Sequence, residues 1–188
     1  FLSLKRLNAE HQVKQIISAS AIGIYPSDFK KTFTENDKFK PSSFMQEVVS
    51  AWEKEVNNFI LINIKVVKMR IGLVLAPNGG VLGPLKILSN LALGTAFGNG
   101  QQGQSWIHIA DVVGIFLKAI EEQWVGTYNT VAPNPVSQIN FIKALAKALK
   151  RPYFLPPIPK QVIKFLVGDM SSLVLNSHWI SAQKVLDK

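Results

Sequence analysis

Ser18 and Ser20 close the apolar run "QIISASAIGIY", and Tyr25 ends it. A hydroxyl at a strand end can orient a substrate oxygen, and a phenol nearby can exchange a proton with it. His108 in "SWIHI" and Asp111 just after it would complete a Ser-His-Asp hydrolase set with Ser20. No G-x-S-x-G elbow surrounds Ser20, so acyl transfer is not supported, and a lone histidine between Ile107 and Ile109 reads as structural. With no cysteine and three scattered histidines, the chain has no thiol nucleophile and no expected metal centre.

The glycines of "GNGQQG", residues 98–103, are spaced as in a dinucleotide fingerprint. That fingerprint needs a strand before it and a helix after it, so that helix N–H groups face the pyrophosphate. Here a helical pattern precedes the glycines and the strand pattern "QSWIHI" follows. The order is reversed, and the segment reads as a turn or ligand loop.

The chain has 188 residues, 47% of them hydrophobic and 18% charged, enough for one domain or a domain with a small appendage. No apolar run approaches the roughly 18 residues of a membrane span, and no signal peptide opens the chain, which predicts a cytoplasmic protein. The net charge is +9. The basic residues lie along helical faces without interleaved aromatics, so neither nucleic acid nor membrane is expected as a partner. An anionic ligand or acidic partner remains open.

The elements that must position these residues alternate. "VKQIISASAIGIY" reads as a strand with Ser18 and Ser20 on one face. "KPSSFMQEVVSAWEKEV" reads as a helix capped by Ser43 with Gln46 as capping-box partner, and with Phe44, Val48, Trp52 and Val56 as its apolar stripe. "NIKVVKMRIGLVL" is a second strand, and "NGG" at 78–80 breaks the chain. "VLGPLKILSNLAL" is a helix with a weak point near Gly83 and Pro84. "SWIHI" and "GTYNTVA" are short strands, each followed by a helical pattern. In the first of these helices, Val112, Ile115, Phe116, Ala119 and Ile120 recur at helical spacing. From Arg151 four prolines introduce short apolar helices, a small cap rather than another repeat. The fold class predicted is α/β, a doubly wound parallel sheet. Residues 1–150 form the main unit, with substrate-side segments at about 76–105 and 131–150, and residues 151–188 form the cap.

"SASAIG", "SAWE", "RIGLVLAPNGG", "QSWIHIAD", "VAPNPVS" and "FLPPIPKQVIKFLVGDM" together resemble the extended short-chain dehydrogenase/reductase family. The similarity is to its epimerase-like branch with a C-terminal domain of unknown function 1731, some members of which are described as cell-division inhibitors. It runs from Gln15 over nearly the whole chain. In that family a Rossmann βαβ half with the true glycine fingerprint comes first, so the sequence looks like the C-terminal two thirds of a longer protein.

The resemblance implies NADP or NAD as cofactor, with NADP favoured. Ser18, Ala19 and Ser20, and the turn Arg70, Ile71, Gly72, Leu73 and Val74, would lie on the cofactor side. Gly98, Gly100, Gln104, Trp106 and His108 would lie on the substrate side, facing a small molecule, and a homodimer is allowed. Two departures stand out. Aligning Glu53 with the family glutamate puts Met45 and Val49 where a Tyr-x-x-x-Lys pair would sit, and neither carries a proton. Gln104 replaces an arginine that clamps phosphate in nucleotide-sugar enzymes. The implied activity is hydride transfer to a carbonyl or sugar-like compound with Ser20 orienting the oxygen, and Tyr25 is the candidate substitute acid. The alternative is an NADP(H)-binding regulatory protein without turnover.

Overall fold

Residues whose side chains alternate between two helical layers, Gln15–Ala21, form the first strand (β1) in a computed structural model of the chain, which describes residues 1–7, 12–77 and 79–188. A short helix α1 (Leu2–Leu7) precedes it. There follow β2 (Thr32–Phe33), α2 (Phe44–Asn57), β3 (Lys65–Ile71), β4 (Leu73–Ala76), β5 (Gly79–Gly80) and α3 (Leu82–Asn90). Then come β6 (Gly103–Gln104), β7 (Trp106–His108), α4 (Ile109–Glu121), β8 (Gly126–Thr130), β9 (Val136–Ser137) and α5 (Gln138–Ala148). The chain closes with α6 (Lys160–Val167), α7 (Ser172–Leu175), β10 (Trp179–Ile180) and α8 (Gln183–Leu186). Asn78, first residue of the expected chain break, lies outside the described residues.

β1, β3 and β8 pair in parallel, in that order, with Ser20 beside Arg70 and Arg70 beside Asn129. Because side chains alternate across a strand, the pairing sorts the sheet into two unlike faces. Ile17, Val67, Met69 and Tyr128 share one face and pack with Ala119, Trp124 and Phe116 near α4. Ser18, Ser20, Lys68, Arg70 and Asn129 share the other, and α2 covers it. The fold is Rossmann-like, with helices on both sides of a parallel sheet, as the alternation of elements predicts.

The polar face explains where α2 departs from expectation. Phe44, Val48 and Trp52 of its apolar stripe are exposed, and only Val56 is buried. The buried face carries Gln46, Val49, Glu53 and Val56 instead, and Glu53 accepts from the Ser20 and Arg70 donors beneath it. Ile120 of α4 is likewise exposed rather than part of the buried stripe.

Ser43 caps α2 as predicted, accepting from the Gln46 N–H. Gln46 Oε1, however, accepts from Ser42 N at 2.7 Å rather than from the capping residue. Ser43→Ala is expected to cost about 1 kcal/mol of stability, read as a lower urea midpoint at unchanged m-value.

The run read as one strand from Asn63 is two. It breaks at Gly72, after which β4 leaves the main sheet to pair with β7. Gly72 N donates to Thr130 O while Leu73 N donates to Ser105 O, so adjacent amides serve different sheets. α3 runs unbroken through Pro84, which sits in its first turn where the missing N–H is not needed. Gly98 and Gly100 have φ of 58° and 69° in the loop between α3 and β6. Segment 177–180 turns back to the main sheet unit, where β10 pairs with β2 and His178 N donates to Gly103 O.

Candidate functional site

β1 and β3 end side by side at Ala21 and Ile71, and in open α/β sheets ligands bind beyond such carboxyl ends. A cleft of about 650 Å³ opens there. Ala21, Ile22 and Gly23 form one wall, Met45 at the start of α2 another, and Ile71, Gly72 and Leu73 the floor. Gln104, Ser105 and His178 close the far side.

Below the cleft, Glu53 organises the polar sheet face. It accepts from Arg70 Nε at 2.8 Å and Nη2 at 2.9 Å, and from Ser20 Oγ at 2.7 Å, with Lys68 Nζ at 3.7 Å. Arg70 also donates through Nη1 to Tyr25 Oη at 2.8 Å, and Tyr25 in turn donates to Asn129 Oδ1 at 2.7 Å. Asn129 N donates to Glu35, tying the loop before α2 to the sheet. Burial opposes the charge on Glu53, but the hydrogen bonds from Arg70 and Ser20 and the charges of Arg70 and Lys68 outweigh it, so its pKa lies below the usual carboxylate value. Burial likewise opposes the charge on Arg70, and Glu53 and Tyr25 more than compensate.

These bonds decide what the expected residues can do. Ser20 donates its proton to Glu53 and does not line the cleft. Tyr25 lines it, but at 1% exposure its hydroxyl is engaged on both sides, and burial raises its pKa. Arg70, which the resemblance puts in the cofactor-side turn, is buried outside the cleft lining, because its strand parity aims it at Glu53. Ile71, Gly72, Leu73 and Gln104 converge on the cleft. Ser18 instead accepts from Trp52 Nε1, Ala19 is exposed, and Val74 lies beyond the lining in β4. Gly98, Gly100, Trp106 and His108 are also outside it. His108 caps α4 by accepting from Ala110 N, and Trp106 donates to Asn134 O. Met45 lines the cleft, whereas Val49 is buried in the cluster around Tyr25.

His178 is the residue that sequence reasoning missed, since nothing in its local pattern marks it. Its backbone is held between Gly103 O and Ser105 Oγ, which carries the ring into the cleft. Its Nε2 lies 3.2 Å from Tyr25 O. A carbonyl only accepts, so Nε2 carries the proton and the neutral ring keeps its lone pair on Nδ1. Burial lowers the His178 pKa, more than the bond to Tyr25 raises it. No group of three or more potential metal ligands occurs among the described residues. Nor is any helix among them long and apolar enough to cross a membrane.

No family model matches the chain. It is 33% identical over 177 residues to an epimerase family protein of Staphylococcus epidermidis, which covers 94% of the chain and 59% of that relative. In structure it is similar to the human epimerase family protein SDR39U1 with NADPH, with a TM-score of 0.85 and 24% identity over 98% of the chain and 63% of that protein. It is also similar to the UDP-glucose 4-epimerase of Thermus thermophilus in complex with NAD, with a TM-score of 0.74 and 20% identity over 99% of the chain and 61% of that protein. The chain thus spans about three fifths of the length of the proteins it matches. In sequence it is epimerase-like over nearly its whole length, and both structural likenesses establish the Rossmann-like fold.

Proposed function

We propose that this epimerase-like chain supplies the substrate side of an NAD(P)-binding protein, whose cleft receives the nicotinamide end of NADP or NAD beside a small carbonyl or sugar-like compound. NADP is the favoured form. The carrying observation is the composition of the cleft at the ends of β1 and β3. Ala21, Ile22, Met45, Ile71 and Leu73 offer apolar walls for a flat ring, and nothing lies within 4 Å of where a Gly23 side chain would begin. Among the described residues the lining holds no glycine-rich strand-to-helix turn of the kind that holds a pyrophosphate, which supports the nicotinamide end as its occupant. Gln104, uncharged, also speaks against a nucleoside-diphosphate substrate.

The cofactor, when bound, supplies hydride chemistry. This chain's residues then exclude water, orient the substrate and handle one proton. Ser20 is not the orienting hydroxyl in this reading, because its proton is given to Glu53. Gln104 takes the orienting role through its amide, and His178 Nδ1 is the proton acceptor, since Tyr25, the other titratable group of the lining, is locked by Arg70 and Asn129. The same locking of Ser20 and Tyr25 favours a second reading, a protein that binds NADP(H) and reports it to a partner without turnover.

Calorimetric titration of NADPH and then NADH, into this chain and into the protein from the complete gene, tests the cofactor reading. Binding to neither overturns it. With binding established, reduction of NADP is followed across a panel of alcohols, the direction in which hydride leaves the substrate and the neutral His178 ring takes the hydroxyl proton. We expect His178→Asn to lower kcat on the order of 10²-fold at similar KM and to remove the acidic limb of the pH profile, where protonation silences the base. Tight binding with no turnover across the panel selects the regulatory reading.

A further inference from the structure

A second cavity, of about 490 Å³, shares no lining residue with the cleft. Leu85 and Leu88 of α3, Leu93, Ile142 of α5, Pro156 and Val162 of α6 enclose it. Its walls offer hydrocarbon and almost no hydrogen bonds. Pro156, Pro157 and Pro159 have no N–H to give. Thr95 Oγ1 is bonded to Leu155 O and Pro156 O, and the Ile158 amide donates to Ala96 O. The hydroxyl of Ser89 is buried beneath Gly94, where an added Cβ would lie 2.7 Å from it.

The surroundings are as one-sided in charge as the walls are in polarity. Residues 82–104 and 131–168, which include every residue of the lining, carry seven Lys or Arg and no Asp or Glu. Lys86 lies between Leu85 and Leu88, Lys143 follows Ile142 with its Nζ over the Tyr153 ring, and Lys160 follows Pro159. Arg151 donates to Asn90, next to Ser89. Leu88, Leu93 and Val162 are exposed as well as lining, so the chamber is open. An apolar chamber whose lining segments carry basic and no acidic residues matches a ligand that joins a hydrocarbon chain to a negative charge.

We propose that this cavity binds the hydrocarbon chain of an anionic amphiphile, with its headgroup held by the basic side chains at the mouth. The volume lies within the range of small-molecule sites. The test titrates decanoate, dodecanoate and tetradecanoate, below their micelle concentrations, into the full chain by calorimetry. The expected result is one saturable site, with affinity rising several-fold per pair of methylenes, up to about fourfold for each. The alkyl alcohol of equal length should bind at least tenfold more weakly, and the alkyltrimethylammonium not at all. Leu88→Trp, which fills the chamber, should weaken tetradecanoate at least tenfold. Val162→Trp is the second filling variant if the first unfolds. Lys143→Glu with Lys160→Glu should weaken the carboxylate and leave the alcohol unchanged. Co-sedimentation with phosphatidylglycerol/phosphatidylcholine vesicles separates the sources. Capture competed by tetradecanoate identifies a membrane lipid, and no capture identifies a free amphiphile. Absence of saturable binding, equal affinity for the cationic chain, or indifference to both tryptophan variants overturns the proposal.

Discussion

Glu53→Gln is expected to destabilise the fold by about 3–5 kcal/mol, measured as the loss in urea unfolding free energy at pH 7. The carboxylate accepts from Ser20 and twice from Arg70, and both charged partners are nearly excluded from water. An amide cannot neutralise Arg70 and turns an N–H group toward its donors, so a buried cation is left uncompensated. Replacing both partners, Glu53→Leu with Arg70→Met, is expected to cost less than Glu53→Gln alone, because it removes the uncompensated charge. The pH dependence has a fixed sign. The folded pKa of Glu53 is below its ordinary 4.5, so its contribution is complete above that value and is lost as pH falls through the folded pKa. His178, whose folded pKa is below 6.5, adds a loss of the same sign that begins as pH drops under 6.5. Glu53→Gln should flatten only the lower of the two windows. A loss under 1 kcal/mol would show that Glu53 is not what compensates Arg70.

The second large effect is expected at Gly72. A Cβ added there would stand 2.4 Å from Ser105 O and 2.7 Å from Val131 Cγ1. The first of these is a backbone carbonyl that already accepts from Leu73 N at 2.8 Å, so it cannot retreat without breaking the junction of β4 with the β6–β7 segment. Gly72→Ala should cost about 3 kcal/mol, at the upper end of overpacking changes, and abolish ligand binding in the cleft whose floor it forms. Gly23→Ala is the matched control. It lines the same cleft and meets nothing within 4 Å, so it should change the unfolding free energy by less than about 0.5 kcal/mol. Equal effects at the two glycines would refute the steric account.

Alternation within "QIISASA" was enough to place Ser18 with Ser20, because a strand's period of two is a local property of the backbone. The order of strands and helices likewise carried the Rossmann-like fold and the reading of "GNGQQG" as a loop. The α2 stripe was misleading for a definite reason. Phe44, Val48 and Trp52 are as periodic as a core face, but periodicity cannot say what the opposite surface is made of. That surface is polar, and Glu53 was the better match.

The sequence by itself determined the order of the main strands and helices, the Ser43 cap of α2, and that Met45 and Val49 cannot transfer a proton. Only the tertiary structure decided that Ser20 and Tyr25 are held by Glu53, Arg70 and Asn129, and that His178 enters the cleft. The contacts that decide it join Ser105 to His178 and Glu53 to Arg70 across 73 and 17 residues. Local propensity has no reach over such separations, so the roles of these side chains are fixed by the strand pairing that brings them together.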